Sequence, residues 1–408
     1  MNKATVLLAT MQLDIGGAET HVVDLACHLT ELGYRVLVAS NGGCYVERLT
    51  ACGVPHYKVP LHDNKPDLLW RSVWAMRRIV RDEQVDLIHT HARIPAFITA
   101  VMDRPKQVRF VTTAHYNFKG LWYLSRWGEK TIAVSEDIRD YLINYFRVPP
   151  KRIVVIPNGV DTDLFSPDCC SSGRGVETAE SGAAGGAMSS STLIASAANR
   201  VPSGHGGHGA ARIAMVSRMD GHLSDVAVSL VSACEQVYDR WPLQLMIAGG
   251  GNNLDPVSAR AAACNERLGK TVVSVLGART DINRILAASD LVVGVSRVAM
   301  EAMSCARPVI LAGPQGFGGL LAPDRVAQFK EDNFTARGQS AAVTVPRLVD
   351  ALEEFFAKTP EWRHSTGQFL RQLVVSEYSS QRMAERVARV YEEVLNPLKR
   401  EPPSNIML

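Results

Sequence analysis

Short apolar runs and longer amphipathic ones alternate along the first part of the chain. ATVLLAT (4–10), YRVLVAS (34–40), VDLIHTH (85–91), VRFVTTAH (108–115), KTIAVS (130–135) and RIVVIPNG (152–159) are each dominated by apolar and β-branched residues. Runs of this length without strict in–out alternation predict strands covered on both faces. Between them, AETHVVDLACHLTELG (18–33), DLLWRSVWAMRRIVRDEQ (67–84) and EDIRDYLINYF (136–146) repeat their apolar positions every three or four residues, the helical period. Strands alternating with helices of this length predict a parallel, doubly wound sheet.

The rhythm stops at 169–211, a Gly/Ala/Ser-rich stretch with almost nothing to bury, and is expected there to give way to a disordered linker. His205 and His208 lie in its GHGGHG; without acid or cysteine spacing nearby they read as solvated rather than metal-binding. The rhythm then resumes. RIAMVS (212–217), PLQLMIAG (242–249), TVVSVLG (271–277), DLVVGV (290–295) and PVILAG (308–313) predict strands. VAVSLVSACEQVYDR (226–240) and INRILAAS (282–289) predict helices, a short helix begins near Val298, and later helices cover about 346–357 and 380–395. The expected fold class is therefore α/β, with two Rossmann-like domains facing across a cleft. The expected layout is a first domain over 1–168, a linker over 169–211, a second domain over 212–378, and a C-terminal helix within 379–408 packing back on the first domain. Open α/β sheets bind ligands at the carboxyl ends of their strands.

Composition narrows the field only slightly. With 408 residues there is room for two cores, and 46% hydrophobic and 21% charged residues are ordinary for a globular protein. A net charge of +3 and a pI of about 8.4 make no case for nucleic acid. No apolar run approaches the ~20 residues that span a bilayer. The opening MNKATVLLATMQLDIGG reads as a first strand and not a signal peptide. The eight cysteines include no CxxC pair, so reduced thiols in a cytoplasmic protein are expected. A nicotinamide dehydrogenase is disfavoured. The first loop, MQLDIGGAET, lacks G-x-G-x-x-G, and the second strand ends at Ala39-Ser40-Asn41 without the ribose-binding acid.

The loops match another pattern. GGAETHVVDLACHLTELGYRVLVAS, TAH (113–115), IAVSEDIRDYL (132–142) and IVVIPNGVDTDLF (153–165) resemble, in order and spacing, the glycogen-synthase-like family 4 glycosyltransferases of GT-B fold. So do VSRMDG (216–221), LMIAGGG (245–251), ASDLVV (288–293) and EAMSCARPVI (301–310), and the resemblance covers nearly the whole chain outside the linker. It implies transfer of a sugar from a nucleotide-sugar donor, held mainly by the second domain, to an acceptor held by the first. It also implies retention of configuration, and no metal or other cofactor is expected.

Several residues acquire expected roles. Gly16 and Gly17 lie between the first strand and a helix start, where bare backbone N–H groups and the helix end suit a phosphate; a tight packing turn is the alternative. The resemblance places His115 beside the reacting sugar as the catalytic candidate, against a satisfied structural histidine. It places Arg218 on the donor diphosphate, where a guanidinium fits phosphate oxygens, against an interdomain salt bridge. Family members carry two glutamates eight positions apart. Glu301 matches the second, which holds the donor ribose, while Val293 occupies the position of the first. The usual lysine five residues after Arg218 is Leu223 here. The short SRVAMEA connection looks more like the lipid-II-forming glycosyltransferases of peptidoglycan synthesis, which keep only the ribose glutamate. Glu301 is thus expected on the ribose, against a first-turn acid favoured by the helix dipole. Arg297 is a candidate replacement for the lost lysine charge near the phosphates, against a solvated loop arginine.

On the acceptor side, Tyr116, Phe118, Trp122, Tyr123 and Trp127 interleave with Lys119 and Arg126, and Trp70 and Trp74 neighbour Arg71, Arg77, Arg78 and Arg81. Such interleaving suits an anionic lipid surface; the alternative is that the tryptophans are core and the arginines a solvated face. The expected partners are a nucleotide sugar and a glycan or lipid-linked cell-envelope acceptor, with a membrane surface and no nucleic acid. The expected location is cytoplasmic, peripheral on the inner face of the membrane. The rival reading is a non-catalytic relative that binds nucleotide or glycan and acts through partners, suggested by the missing glutamate and lysine.

Overall fold

The structure, a computed structural model, describes residues 3–102, 108–117, 125–169, 210–339 and 341–396. The chain divides into two compact units, Met1–Gly159 with Tyr378–Leu408, and Val160–Glu377. Almost all of the 169–211 linker lies outside the described residues, as do Phe118, Lys119, Trp122 and Tyr123.

In unit 1 the strands β1 (Thr5–Ala9), β2 (Arg35–Ser40), β3 (His56–Lys58), β4 (Leu87–Thr90), β5 (Arg109–Ala114), β6 (Lys130–Ala133) and β7 (Ile153–Val155) form one sheet in the order β3-β2-β1-β4-β5-β6-β7. Every pairing is parallel. The central runs TVLLA and RVLVAS are buried almost throughout, as strands covered on both faces must be. Helix α1 (Gly17–Glu31) lies on one face, and α3 (Pro66–Asp82) and α4 (Arg93–Met102) on the other; α2 (Val46–Ala51) and α5 (Glu136–Asn144) complete the connections.

The C-terminal helix, Ser380–Leu395, belongs to unit 1. Its apolar positions Met383, Ala384, Val387, Tyr391 and Val394 recur at helical spacing and enter the same core as Val6, Leu8, Val22 and Leu25. Ser379 caps the helix by accepting from Arg382 N–H. Each large apolar side chain buried on this stripe contributes about 1.5–3 kcal/mol, so Val387→Asp should weaken the docking by at least that much. The chain leaves unit 1 at Gly159 and returns at Tyr378, and the two passages touch: a Cβ on Gly159 would lie 2.6 Å from Ser380 Cα.

Unit 2 contains β8 (Ala211–Val216), β9 (Leu243–Ala248), β10 (Val273–Gly277), β11 (Leu291–Gly294), β12 (Val309–Gly313) and β13 (Gly316–Leu320), ordered β10-β9-β8-β11-β12-β13. All pair in parallel except β13, which runs antiparallel on the edge. The helices are α6 (His222–Val237), α7 (Leu254–Leu268), α8 (Ile282–Ala287), α9 (Ser296–Ser304), α10 (Ala327–Lys330), α11 (Val345–Ala357) and α12 (Pro360–Glu377). Residues 160–168 fall in this unit and not with the first domain. Ser304 Oγ donates to Phe165 O at 2.6 Å and Asn283 Nδ2 to Leu164 O at 3.2 Å, tying the segment to α9 and α8.

The expectation of reduced thiols fails for one pair. Cys27 on α1 and Cys52 beyond α2 form a disulfide, with Cα atoms 5.5 Å apart. The two helices pack together, which brings cysteines 25 positions apart into contact without any spacing signal. The thiol argument for a reducing compartment goes with it. Among the described residues Cys44, Cys169, Cys234, Cys264 and Cys305 are free. No described helix is long and apolar enough to cross a membrane.

Candidate functional site

The strand order of unit 1 reverses between β1 and β4, and that of unit 2 between β8 and β11. The carboxyl ends of strands at such a switch point are where open α/β sheets take ligands. Gly16 and Gly17 follow β1, His91 follows β4, His115 follows β5, Arg218 follows β8, and Arg297 and Glu301 follow β11. Each unit thus gathers its own candidates at its own switch point.

Three histidines meet in unit 1: His21 from α1, His91 and His115. The ring centroids of His21 and His115 are 4.8 Å apart, and those of His91 and His115 are 5.5 Å apart. His91 Nδ1 and His115 Nε2 share a hydrogen bond of 3.2 Å. His21 and His91 are buried; His115 is half-buried and lines a cavity with His91, Arg93, Thr113, Tyr116 and Arg126. Behind them His89 bonds through Nδ1 to Tyr391 Oη (2.6 Å) and through Nε2 to Thr113 Oγ1 (2.7 Å). Burial, and secondly His115, pushes His89 down to about 3. Burial, and then the imidazoles of His89, His21 and His115, holds His91 well below the usual histidine range. The cluster is therefore neutral at its inner end. Sequence reasoning named only His115. The signal for His91 was its own strand end, IHTH beside TAH: in the parallel register Thr90 pairs with Thr112, so His91 is level with Thr113, two residues before His115. His21 carried no comparable signal.

At the start of α1, Gly16 has extended backbone and its carbonyl accepts from Thr20 N–H at 3.0 Å and Thr20 Oγ1 at 2.7 Å. A Cβ on Gly16 would lie 2.2 Å from Glu19 Oε2. The helix end favours an anion, and the protein's own Glu19 carboxylate already lies there. A phosphate at Gly16 and Gly17 has to displace it.

In unit 2 the loop after β8 interlocks with the glycine turn after β9. Met219 N–H donates to Gly250 O (2.9 Å) and Asn253 N–H to Met219 O (2.8 Å). Gly249 has φ 143°, and a Cβ there would lie 1.7 Å from Ser217 O, so only glycine fits this approach. Arg218, carried on this braced loop, is exposed and forms no ion pair among the described residues. A guanidinium fixed at its base and open at its tip suits phosphate oxygens. Leu223, where the family lysine is usual, and Val293, buried inside β11, add no charge.

Helix α9 starts at Ser296, earlier than the sequence predicts, which puts Arg297 in its first turn and Glu301 beyond it. The dipole effect falls off within the first turn, so it does not account for Glu301. Arg297 Nε donates to Glu301 Oε1 at 2.7 Å, and both residues are buried, 6% and 7% exposed. The two expected donor contacts are thus ion-paired with each other. A separate cavity in unit 2, lined by His222, Asp225, Gly313, Gln315 and Gln339, includes none of Arg218, Arg297 and Glu301.

On α3, Trp70 and Trp74 are 63% and 66% exposed, one turn apart, with Arg71, Arg77, Arg78 and Arg81 also exposed. These two tryptophans are not core. Trp127, by contrast, packs against Phe146 at 5.0 Å, and Tyr116 is exposed.

Two Rossmann-like units of this layout define a protein of the GT-B class, and comparison with known proteins resolves the class further. The family model described as "Glycosyltransferase Family 4" matches residues 15–164, and "Glycosyl transferases group 1" matches 210–333. The chain belongs to the family 4 glycosyltransferases. A glycosyltransferase from Rickettsia africae superposes with a TM-score of 0.71 at 18% identity, covering 96% of this chain and 99% of that one. Anabaena HepE in complex with UDP-glucose gives a TM-score of 0.68 at 18% identity, covering 96% of this chain and all of that one. The gpi3 subunit of phosphatidylinositol N-acetylglucosaminyltransferase from Schizosaccharomyces pombe is 26% identical over 174 residues. That match spans 38% of this chain and 38% of the relative, well under half of each.

Proposed function

We propose that this protein transfers a sugar from a nucleotide-sugar donor taken by unit 2 to a glycan or lipid-linked acceptor taken by unit 1. The observation that carries this reading is Arg218: an exposed guanidinium on a glycine-braced loop at the unit 2 switch point, in a chain of glycosyltransferase family 4. In the proposed mechanism Arg218 holds the diphosphate and neutralises charge that builds on it as the sugar leaves. Glu301 accepts the ribose hydroxyls, Arg297 turns from Glu301 toward the phosphates, and Gly16 and Gly17 present backbone N–H groups. His115 lies against the reacting sugar and stabilises charge there. Retention of configuration and independence from a divalent metal are part of the proposal. UDP-linked hexoses and N-acetylhexosamines are the first donors to test, given the UDP-glucose bound by HepE and the activity named for the gpi3 relative.

The exposed Trp70, Trp74 and arginines of α3 support a peripheral contact with anionic lipid, bringing the site to a membrane-embedded acceptor. Cosedimentation with phosphatidylglycerol vesicles, lost in a Trp70→Ser/Trp74→Ser variant, is the expected result. Two observations favour the second reading, a non-catalytic binding relative. Arg297 and Glu301 neutralise each other, and the position of the usual lysine is Leu223. Nucleotide release from a panel of sugar nucleotides incubated with membrane extract decides between them. Release above a His115→Ala control supports transfer, and tight nucleotide binding without release supports the rival.

A further inference from the structure

We propose that His21, His91 and His115 form a binding site for a divalent transition-metal ion of the zinc class. The proposal rests on the geometry of unit 1 and is independent of the transferase reading. Ring nitrogens, one from each histidine, all lie within 4.8 Å of one another. Zinc bound to imidazole at about 2.0–2.1 Å needs its ligand nitrogens roughly 3.3 Å apart, so closure takes ring rotations on the order of an ångström. The three ligands come from three elements of one core: α1, the end of β4 and the end of β5.

A second observation points the same way. His91 Nε2 is buried and has no hydrogen-bond partner among the described residues. Buried polar atoms are seldom left so. His89, whose ring is tilted against His91 with centroids 4.1 Å apart, is not a ligand, because both its nitrogens are engaged by Tyr391 and Thr113. It instead packs behind His91 and restricts that ring.

The donor set also defines the ion. Three imidazoles without carboxylate or thiolate suit Zn2+, Cu2+ or Ni2+ and not Mg2+ or Ca2+, which require oxygen ligands. His115 is half-buried and lines the cavity, which gives the ion an entry and leaves a fourth position for water.

The test uses the untagged full chain, stripped with a chelator and dialysed against Zn2+, with Co2+ as a spectroscopic probe. The expected result is one ion per chain with the visible bands of four-coordinate Co2+. His21→Gln and His115→Gln should each weaken binding by roughly a hundredfold or more, beyond what loss of an outer-shell partner costs. Circular dichroism and melting temperature establish that each variant is folded, and the half-buried His115 is the safer of the two positions. His205→Ala/His208→Ala should bind as wild type does. Absence of stoichiometric binding, unchanged affinity in a folded His115→Gln protein, or loss of binding in the His205→Ala/His208→Ala variant would each overturn the proposal. Donor turnover plays no part in these outcomes, so failure of the transferase reading would leave them untouched.

Discussion

Arg297 and Glu301 lie one turn apart on α9 and form a buried ion pair, Nε to Oε1 at 2.7 Å. Removing one partner of a buried ion pair typically costs about 3–5 kcal/mol, whereas replacing both with apolar residues is often neutral. Glu301→Ala should therefore lower unfolding stability by about 3 kcal/mol. Arg297→Met/Glu301→Leu should recover most of that loss. If the pair also serves the donor, the double variant will be stable yet bind nucleoside diphosphate poorly. Denaturant unfolding and calorimetric titration of the same proteins separate the two roles. Full nucleotide affinity in the double variant would remove both residues from the donor site.

Arg218 behaves in the opposite way. Its side chain is exposed and makes no ion pair among the described residues, so Arg218→Ala should leave the melting temperature unchanged. A lost charge-assisted hydrogen bond costs about 1.5–3 kcal/mol, so affinity for a nucleoside diphosphate should fall roughly ten- to a hundredfold. Pyrophosphate alone should show the same loss. A drop for the nucleotide with none for pyrophosphate would move Arg218 off the diphosphate.

His115→Ala should reduce turnover on the order of a hundredfold, the scale of one electrostatic contact made in the transition state. Nucleotide affinity should hardly change. A merely structural histidine would instead lower the melting temperature, with activity following the folded fraction. Steady-state rates, titration and thermal melts on wild type and variant distinguish these results.

The buried histidines give unit 1 a pH-dependent stability. His89 is pushed down to about 3 and His91 well below the usual range, in both cases chiefly by burial. Below the ordinary histidine pKa of about 6.5, the unfolded chain takes up protons that the folded unit refuses. This stability is complete above that pH and is lost as pH falls, down to about 3 for His89. Each such histidine contributes up to about 1.4 kcal/mol per pH unit. Urea unfolding between pH 7 and 5 should show the slope, and His89→Gln should flatten it by about one proton. An equal slope in the two proteins would exclude His89 as its source.

The strand–helix rhythm was legible because parallel strands buried on both faces leave continuous apolar runs, as in TVLLA and RVLVAS. β13 was not. Its GFGGL holds little apolar bulk, and a Cβ on Gly316 would lie 2.0 Å from Ala336 O, so close backbone approach and not turn formation explains that glycine. Arg297 and Glu301 stand at i, i+4, a spacing that announces a pair, but the family resemblance points each of them at the donor instead. His21 beside His115, and Cys27 beside Cys52, depend on how helices settle on the sheet, which local pattern does not encode.

The adjacency of Gly159 and Ser380 has a consequence for how the protein is made. Unit 2 is contiguous in the chain, whereas unit 1 lacks one wall of its core until 380–395 arrive. On a ribosome the second unit can complete its fold while the first is still open, with Val6, Leu8 and His89 awaiting Met383, Val387 and Tyr391. The histidine cluster sits against that late-closing wall. A helix made after unit 2 therefore seals strands that were made before it.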